Sequence, residues 1–467
     1  MRIQFCGANR TVTGSCHLIE VNGLRLFLDM GMYQGRREEA RRINQYLPQD
    51  AHAVDAIILS HGHLDHCGKL PVVVRAGFTG PIYCTPATAD VARTVLLDAG
   101  EIQEEDAEYL NRRSRDENAP RVEPLFRLVD AQATLKQFRR VKYETKQDVG
   151  NGVSFTFFDA GHILGSAYVL LEWTEAGKPR TLLFTGDIGR YGSPILRDPH
   201  PLPFPVDHVI TESTYGDRTH APGDQIGPQL LDAVRHCVER RSRLLVPSFA
   251  VGRTQTVLWY MHKFIAEGSI PRIPIFIDSP MGVEVTKATA EHRDLYDEET
   301  TRLLEKSGTF SAVFASSSAQ SRQINAHSGA CVIIASSPTC EFGRILHHLK
   351  RSVEQKDDVI VFVGWTPHHT LGRRLQEGQR RVRIYDRWYE LRCGVRTIHG
   401  LSAHADADEL LRFLQPTLKP QTTAYVVHGE PDEAEGLARR LLAAGIGQAH
   451  VPAIESSVLA ISAECGR

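Results

Sequence analysis

The sequence predicts an α/β fold in which a strand-rich first domain is interrupted by a second α/β unit. Short apolar runs separated by Gly and Asn fill the first 205 residues, and strands alternate with helical stretches beyond them. Histidines typical of metal sites return at His404 and His428, after the alternating part. The second unit is therefore most economically an insertion, and we expect domain segments of 1–205, 206–390 and 391–467.

The first part of the chain is expected to consist mainly of strands. The predicted strands are Ile3 to Cys6, Cys16 to Val21, Leu24 to Leu28, Ala56 to Leu59, Val153 to Phe158, Ala167 to Trp173 and Thr181 to Thr185. Helical spacing of apolar residues predicts helices over Ala87 to Asp98 and over Asp130 to Val141, with Asp130 as the N-cap. The charged segment Glu101 to Asp116 is expected to be a solvated helix.

The second part alternates strands with helices. Pro199 to Pro205 is too rich in proline for the interior of an element, which predicts the domain boundary near residue 205. The strands predicted beyond it are Val209 to Thr211, Arg243 to Pro247, Ile273 to Asp278, Cys331 to Ser336 and Val359 to Gly364, with a helix over Thr254 to Ile265. This alternation is typical of a mostly parallel sheet with flanking helices.

Composition limits the class of protein and its partners. The 467-residue chain has 42% hydrophobic residues and a formal net charge of -2, so it has no global basic field that would attract nucleic acid. Its nine cysteines form no C-x-x-C pair, which argues against a disulfide framework and a zinc ribbon. No run approaches the roughly 20 apolar residues of a membrane helix, and the chain begins without a signal core. We expect a cytoplasmic protein that does not contact membranes.

The run His61-Gly-His63-Leu-Asp65-His66 follows a predicted buried strand and is the strongest single motif of the chain. Three imidazoles and a carboxylate in one tight loop are ligands that zinc prefers, and catalytic zinc keeps a further position for water. His162 and Asp187 each lie beside a glycine after a strand, which makes them candidate ligands in the presence of the first motif. Asp29 ends a strand without a neighbouring ligand, so we expect it to support the metal loop.

Further motifs are spread over nearly the whole chain. They are Thr211-Glu212-Ser-Thr-Tyr215-Gly216-Asp217-Arg218, Pro247-Ser248-Phe-Ala-Val-Gly252-Arg253, Asp278-Ser279-Pro280-Met281, Ser402-Ala-His404-Ala-Asp406 and Val427-His428-Gly429-Glu430. With the first motif, they resemble the β-CASP branch of the metallo-β-lactamase fold, whose members process RNA or DNA. The chain resembles bacterial and archaeal relatives of the cleavage and polyadenylation specificity factor endonuclease, and we expect neither KH domains nor the C-terminal domain of RNase J. The resemblance implies an αββα metallo-β-lactamase sandwich with an inserted β-CASP domain.

The resemblance also implies two zinc ions per chain and a role for each site residue. One zinc would be held by His61, His63 and His162, and the other by Asp65, His66 and His428. Asp187 would bridge both ions. His404, oriented by Glu212, would donate a proton to the departing ribose oxygen. An alternative for His404 is a structural position beside the N-cap of a helix over Asp406 to Leu414.

Arginines in glycine-containing turns are expected to bind successive RNA phosphates. The candidate substrate-binding residues are Ser248, Arg253, Arg344, Arg373 and Arg374. Other arginine clusters, at 112–115, 240–243 and 380–383, are expected to be solvated faces.

Two loops depart from the family pattern. Ser336 to Arg344 has Pro338 and Phe342 at positions where relatives usually have glycine. Trp365 to Gly372 reads Trp-Thr-Pro-His-His-Thr-Leu-Gly, where relatives have an aromatic residue followed by Gln-Ala and Gly-Thr-Leu-Gly. Both loops are expected to border the cleft, so the loss of glycine is expected to change the range of substrates and to leave turnover intact.

The sequence thus predicts a zinc-dependent ribonuclease that hydrolyses single-stranded RNA to 3′-hydroxyl and 5′-phosphate ends. Endonuclease action is the first expectation, and 5′-to-3′ exonuclease action in the same site is the second. Alternatives are a DNA-processing nuclease of the same family, a hydrolase of small thioesters or lactams, and an RNA-binding protein without catalysis. The long insertion disfavours a small substrate, whereas no residue reports a contact to a 2′-hydroxyl group. A homodimer is compatible with the sequence.

Overall fold

The structure is a computed structural model that describes residues 1–35, 37–113, 121–221, 223–364, 366–453 and 457–459. The chain forms two compact units. The first unit comprises Met1–Tyr191, Asp198–Thr219 and the chain from His404 onward, and the second comprises Gly192–Arg197 and His220–Ala403. Most of the second unit is thus a single insertion into the first.

Strands and helices are numbered in chain order. The strands are β1 (Arg2–Gly7), β2 (Cys16–Val21), β3 (Leu24–Leu28), β4 (Ala56–Ile58), β5 (Ile82–Cys84), β6 (Phe138–Arg140), β7 (Lys146–Gly150), β8 (Val153–Asp159), β9 (Ala167–Glu175), β10 (Lys178–Phe184), β11 (His208–Thr211), β12 (Arg243–Pro247), β13 (Ile275–Asp278), β14 (Val313–Phe314), β15 (Cys331–Ala335), β16 (Val359–Phe362), β17 (Arg381–Ile384), β18 (Arg387–Glu390), β19 (Gly394–Thr397), β20 (Thr423–Val426), β21 (Gln448–His450) and β22 (Ser457–Leu459). The helices are α1 (Arg37–Gln45), α2 (Leu64–Cys67), α3 (Leu70–Arg75), α4 (Pro86–Arg113), α5 (Leu128–Leu135), α6 (Ile226–Arg240), α7 (Arg253–Ala266), α8 (Pro280–Glu291), α9 (Glu298–Ser307), α10 (Ser318–Ala326), α11 (Ile345–Ser352), α12 (Leu371–Gln376), α13 (Ala407–Leu414) and α14 (Pro431–Ala443).

The first unit is a sandwich of two sheets that share a core. Among the described residues, one sheet has the strand order β22-β1-β2-β3-β4-β5-β6 and the other has the order β21-β20-β11-β10-β9-β8-β7. Phe5 and Leu26 of the first sheet and Phe155 of the second are fully buried in one apolar cluster. Each such side chain stabilises the fold by about 1.5 to 3 kcal/mol. Helices α13 and α14 cover the outer face of the second sheet through Phe413 and Leu437, which confirms the predicted αββα sandwich.

The second unit is a parallel sheet with an apolar core on each face. Its strand order is β14-β13-β15-β12-β16-β19, and neighbouring strands are parallel. Leu244 and Val246 of β12 pack on the face that α6 and α7 cover, whereas Leu245 packs on the face covered by α11. The separate hairpin β17–β18 buries Val382 and Ile384 against this second core. The predicted, mostly parallel inserted sheet with flanking helices is therefore confirmed.

The limits of the inserted unit differ from the predicted segment of 206–390. The unit begins at His220 and ends at Ala403, apart from the segment Gly192–Arg197. The reason for the late start is β11, which pairs in parallel with β10 and β20 of the first unit. Placing Val209 to Thr211 in the inserted sheet is therefore wrong. Its partner β20 lies far along the chain, so local sequence carries no sign of the pairing.

Two local predictions also fail. The helix predicted over Asp130 to Val141 ends at Leu135, and Phe138–Arg140 form β6, which pairs with β5. The predicted N-cap aspartate is the N3 residue of a capping box that begins one turn earlier. The run His61 to Gly68 is not only a loop, because Leu64–Cys67 form the single helical turn α2.

One long helix takes the place of two predicted ones. The predicted helices Ala87 to Asp98 and Glu101 to Asp116 join within α4, and residues 114–116 lie outside the described residues, as does Trp365. From Glu101 onward the described residues of α4 are mostly exposed, in keeping with a solvated helix. Among the described residues, none of the helices combines the length and apolar character that a membrane span requires.

Candidate metal centre

Strand ends of the first unit bring the predicted site residues together. β4, β8, β10, β11 and β20 each end shortly before one of these residues. The residues that follow these strands are, in the same order, the run His61–His66, His162, Asp187, Glu212 and His428. Because β10, β11 and β20 are parallel, their carboxyl ends meet at one edge of the sheet. His404 precedes α13 and forms an isolated bridge with Gly189.

One group of donor atoms comes from His61, His63, His162 and Asp187. His61 Nε2 lies 3.1 Å from His63 Nδ1, and His162 Nε2 lies 3.3 Å from the same nitrogen of His63. Asp187 Oδ2 lies 3.5 Å from His61 Nε2 and 3.6 Å from His162 Nε2. Donors on one tetrahedral zinc stand about 3.3 Å apart, because zinc–nitrogen bonds are about 2.0 Å long. The group therefore has the donor spacing of a zinc site.

A second group contains Asp65, His66 and His428, and it also approaches Asp187. The Nε2 atoms of His66 and His428 lie 3.2 Å apart, and His428 Nε2 lies 3.5 Å from Asp65 Oδ2. Asp187 Oδ2 lies 3.3 Å from His66 Nε2, and Asp187 Oδ1 lies 3.6 Å from His428 Nδ1. The Asp187 carboxylate therefore lies between the two groups.

The surroundings of Asp187 Oδ1 indicate whether metal ions fit these groups. This oxygen is buried and has no hydrogen-bond partner among the described residues. Leaving a buried carboxylate oxygen unpaired is costly, and a cation beside it removes that cost. In each group the ligand atoms lie within 4.8 Å of one another. The donor set, its spacing and the oxygen without a hydrogen bond all fit a metal ion in each group.

Three side chains contact the Nδ1 atoms of ligand rings. Asp29 Oδ2 lies 2.6 Å from His66 Nδ1, and the Asp29 carboxylate also accepts hydrogen bonds from the backbone N–H and the hydroxyl of Ser60. Ser60 Oγ lies 3.0 Å from His61 Nδ1, and Thr214 Oγ1 lies 3.2 Å from His428 Nδ1. A partner on Nδ1 fixes the ring so that Nε2 points at the metal position. Asp29 thus occupies a supporting position behind His66.

A third group pairs His404 with Glu212. His404 Nδ1 lies 3.2 Å from Glu212 Oε2 and 3.8 Å from Asp187 Oδ2. Glu212 is buried, and the backbone N–H of Ile188 donates to its Oε1 over 2.6 Å. Burial alone would lower the pKa of His404, but the carboxylates of Glu212 and Asp187 raise it to about 9. Glu212 therefore favours a protonated His404 and directs its Nε2 away from the carboxylate.

Burial and charge set the protonation states of the other ligands. Burial lowers the pKa of His61 well below its ordinary value and lowers that of His63 to about 4. Burial opposes ionisation of the two aspartates, yet neighbouring histidines hold the pKa of Asp187 well below its usual value and that of Asp65 at about 2. At His66, burial opposes protonation, but the carboxylates of Asp187 and Asp29 raise the pKa well above its ordinary value. Neutral imidazoles and ionised carboxylates are the forms that bind metal, so His66 loses a proton when a metal ion binds.

The backbone conformation lets these loops approach one another closely. A Cβ atom at Gly189 would stand 1.9 Å from the carbonyl oxygen of Gly161, so only glycine fits there. Asp29 and His428 have left-handed backbones, with φ values of 60° and 52°. Such conformations cost energy for non-glycine residues and occur often at functional sites. A hydrogen bond of 2.7 Å from the His428 N–H to the Ala8 carbonyl stabilises one of them.

Two of the predicted substrate-binding residues, Ser248 and Arg253, contact Phe249 in the second unit. Arg253 begins α7, and its guanidinium donates to the Val363 carbonyl over 3.2 Å. The same guanidinium lies 5.1 Å from the centroid of the Phe249 ring, whose residue is 51% exposed. Ser248 is fully buried after β12, and its hydroxyl donates to the Phe249 carbonyl. Phe249 therefore combines an exposed ring with an adjacent guanidinium.

The other predicted arginines are held by acidic partners. Arg344 Nη1 lies 2.7 Å from Asp278 Oδ1, and the Arg344 guanidinium also donates to backbone carbonyls of residues 315 and 316. Arg373 and Arg374 lie within α12 rather than in a turn, and Arg373 Nε donates to Glu377 over 2.8 Å. For Arg344, these contacts indicate a structural role within its own unit.

Sequence reasoning missed Ser60, Thr214 and the backbone N–H of Ile188. Ser60 directly precedes His61, and Thr214 lies two residues after Glu212; these positions near predicted site residues are the only signal in the sequence. The N–H of Ile188 carries no signal, because any residue except proline supplies one. These groups become recognisable only when the folded chain shows which ligand they touch.

Comparisons with known proteins agree with this geometry. Three family models match the chain: a metallo-beta-lactamase superfamily domain over residues 18–178, a Beta-Casp domain over 254–375, and a Zn-dependent metallo-hydrolase RNA specificity domain over 388–452. Ribonuclease TTHA0252 of Thermus thermophilus is 34% identical over 449 residues, covering 95% of this chain and 97% of that protein.

More distant relatives also align with most of this chain. The transcription termination factor FttA of Methanosarcina mazei is 28% identical, covering 94% of this chain and 68% of that protein. An RNase J-like protein of Methanocaldococcus jannaschii is 28% identical and covers 92% of each chain. The crystal structure of a protein of unknown function from Enterococcus faecalis V583 matches with a TM-score of 0.53 and 11% identity, covering 98% of this chain and 99% of that one, which shows similarity of fold alone.

Proposed function

We propose that this chain, which belongs to the β-CASP family of metallo-β-lactamase-fold metallohydrolases, is a two-zinc ribonuclease that cleaves single-stranded RNA. The observation that carries the proposal is the convergence of two donor groups on Asp187, with the His404–Glu212 pair beside them. A structural histidine cluster needs neither a carboxylate shared in this way nor an adjoining acid.

The ligands divide between the two ions by their distances. His61, His63 and His162 would hold one zinc ion, Asp65, His66 and His428 the other, and Asp187 would contact both. When bound, such ions supply Lewis acidity toward phosphoryl oxygens and lower the pKa of a coordinated water to about 7.

The chain's own residues supply a proton to the leaving group. Glu212 is fixed by the Ile188 N–H and in turn fixes His404 through Nδ1. His404 Nε2 would then donate a proton to the ribose oxygen that departs, which leaves a 3′-hydroxyl on one product and a 5′-phosphate on the other. A positioned general acid typically contributes about a hundred- to ten-thousandfold in rate.

Two findings support RNA as the substrate. The region from 388 to 452 matches the RNA specificity domain model, and the relative from Thermus thermophilus is named a ribonuclease. Endonuclease action is our first proposal, with 5′-to-3′ exonuclease action in the same centre as the second mode. In the second unit, we retain Arg253 as a phosphate ligand, because its guanidinium lies beside the exposed Phe249 ring. Arg344 and Arg373 pair with carboxylates instead.

Cleavage of labelled oligonucleotides tests the proposal. The zinc-loaded chain is incubated with 5′-labelled single-stranded RNA and with DNA of the same sequence, beside its His404→Ala variant, and products are resolved by size. We expect internal RNA fragments from the wild type, a loss of about a hundred- to ten-thousandfold in the variant, and unchanged zinc content in both. Cleavage of DNA alone, or zinc loss in His404→Ala, would contradict the proposed substrate or the proposed acid.

A further inference from the structure

The hairpin β17–β18 presents an exposed face of arginine and tryptophan. Its register places Arg383 directly opposite Trp388 and Arg381 opposite Glu390. Residues paired in this way lie on the same side of a sheet, so these four side chains share one face. Val382 and Ile384 point to the other side and are buried. The arginines at 380–383 are expected from the sequence to be solvated, and the structure places an aromatic ring beside them.

Two aromatic rings of this hairpin are accessible and lie next to cations. Trp388 is 59% exposed, and the Arg381 guanidinium lies 5.8 Å from its ring centroid. Tyr385, in the turn, is 51% exposed, and Lys350 Nζ of α11 lies 4.9 Å from its ring centroid. Large aromatic side chains are usually mostly buried in a folded protein. Both rings of this hairpin are instead exposed to solvent, which is typical of binding surfaces.

The charge around the rings is positive. Asp386 and Glu390 are the acidic residues of the hairpin, and each already has an arginine partner: Asp386 lies 3.6 Å from Arg383, and Glu390 lies 2.6 Å from Arg392. Arg380, Arg381 and Arg387 have no carboxylate within 4.0 Å among the described residues. Of these three, Arg381 lies on the face of Trp388, so within the described residues this face keeps a guanidinium without a carboxylate partner next to the exposed ring.

We propose that the exposed face of this hairpin, formed by Arg381, Arg383 and Trp388, is an accessory surface for single-stranded RNA. Proteins bind single strands by stacking bases on aromatic rings while basic side chains contact the phosphates, and this face supplies both groups. Guanidinium groups serve both purposes, since they pair with phosphate and stack on planar rings. The inference rests on the proposed function for the choice of RNA, and it adds a binding surface outside the metal centre.

Binding, measured separately from cleavage, tests the surface. The probe is a fluorescently labelled 20-nucleotide single-stranded RNA of mixed sequence, titrated with zinc-loaded protein in the His404→Ala background. We expect Trp388→Ala to weaken binding about five- to a hundredfold, the range of one lost base stack, and Trp388→Phe to restore most of it. Arg383→Gln should weaken binding less and should lower the slope of log affinity against log salt by about 0.7.

Tyr109 provides a matched control. It is 47% exposed on α4, and the Arg113 guanidinium lies 5.5 Å from its ring centroid, so it repeats the exposed aromatic–arginine pair. It lies in an acidic part of that helix, beside Glu105, Asp106 and Glu108. Tyr109→Ala should therefore leave RNA affinity unchanged.

Three results would contradict the proposal that this face binds RNA. These are unchanged RNA affinity in Trp388→Ala, an equal loss in Tyr109→Ala, and dissociation of a dimer by Trp388→Ala in sedimentation with RNA affinity intact. The last result would make the face an interface between copies of the chain. Failure of the proposed function looks different, because the wild type would then leave RNA uncut while the Trp388-dependent affinity remained. Hydrolysis of bis(p-nitrophenyl) phosphate, a substrate too small to span a stacking surface, should be equal in wild type and Trp388→Ala.

Discussion

Two buried clusters of histidine and aspartate, one in each unit, have similar composition and opposite character. In the second unit, Asp278 accepts from His348 over 2.7 Å and from Ser321 over 2.5 Å, and it pairs with Arg344 at 2.7 Å. His348 Nδ1 has its own partner in Asn325 at 3.0 Å. Each polar group of that cluster thus meets a group of the opposite kind.

In the first unit the ligand atoms face one another instead. Imidazole nitrogens of His66 and His428 lie 3.2 Å apart, and Asp187 Oδ1 lacks a hydrogen-bond partner among the described residues. One proton at most can lie between two ring nitrogens that face each other in this way. The comparison teaches that a buried cluster complete in its own hydrogen bonds is structural, whereas one whose acceptors converge requires a cation.

Exchanging one carboxylate for an amide in each cluster should distinguish the two clusters. The largest effect is expected for Asp187→Asn in the first unit. Asp187→Asn should lose zinc from both groups and reduce RNA cleavage to the level of chelator-treated protein, because Asp187 lies between the two groups. Zinc content by mass spectrometry and cleavage rate are measured on the same preparation. Retention of two zinc ions in the variant would show that Asp187 does not bridge them.

His428→Ala should give a smaller loss within the same centre. His428 belongs only to the group with Asp65 and His66, so we expect about one zinc per chain to remain, bound by the other group. Zinc stoichiometry after extensive dialysis checks this. His450, an exposed histidine on β21, offers the control: His450→Ala should keep two ions.

Asp278→Asn should leave the metal centre intact and destabilise the second unit. The carboxylate is fully buried, and its loss leaves Arg344 without its ionic partner, which costs about 3 kcal/mol in comparable buried pairs. Denaturant unfolding should show this loss, with zinc content equal to that of the wild type. A variant as stable as the wild type would mean that the cluster contributes no net stability.

Lowering the pH should have a smaller effect, on the stability that Asp278 contributes to the second unit. Burial would raise the pKa of Asp278, but hydrogen bonds from His348, Ser321 and Arg344 hold it below its ordinary value. Its contribution to stability is therefore complete above the unfolded-state pKa of about 3.9, and it is lost as pH falls through the lower folded-state pKa. The difference in unfolding free energy between wild type and Asp278→Asn should shrink below about pH 4. A difference that grows on acidification would contradict this sign.

The parts of the centre that sequence predicts are those with local signals. The run His61–His66 follows a buried strand, so its spacing alone indicates a metal loop. His404 and His428 lie beyond the inserted unit, and their place beside that loop follows from family resemblance rather than from spacing. Ser60 and Thr214 act only through ligands that folding brings to them, which no local pattern reveals.

The fold shows the same limit. The inserted parallel sheet follows from strand runs and their alternation with helices, whereas the αββα sandwich follows from the family resemblance. The assignment of β11 fails because β20, its partner, is supplied from the far side of the insertion. The helix predicted to Val141 fails because Phe138–Arg140 pair with β5, and this tertiary pairing outweighs the local helical spacing.

Anomalous scattering from crystals of the zinc-loaded chain, recorded at the zinc absorption edge, tests the central claim most directly. The account predicts two peaks about 3.5 to 4 Å apart, one within reach of His61, His63 and His162 and one within reach of Asp65, His66 and His428, with Asp187 between them. No peak is expected at the Asp278 cluster. A single peak, or a peak at Asp278, would contradict the distinction between the two clusters on which the proposed chemistry depends.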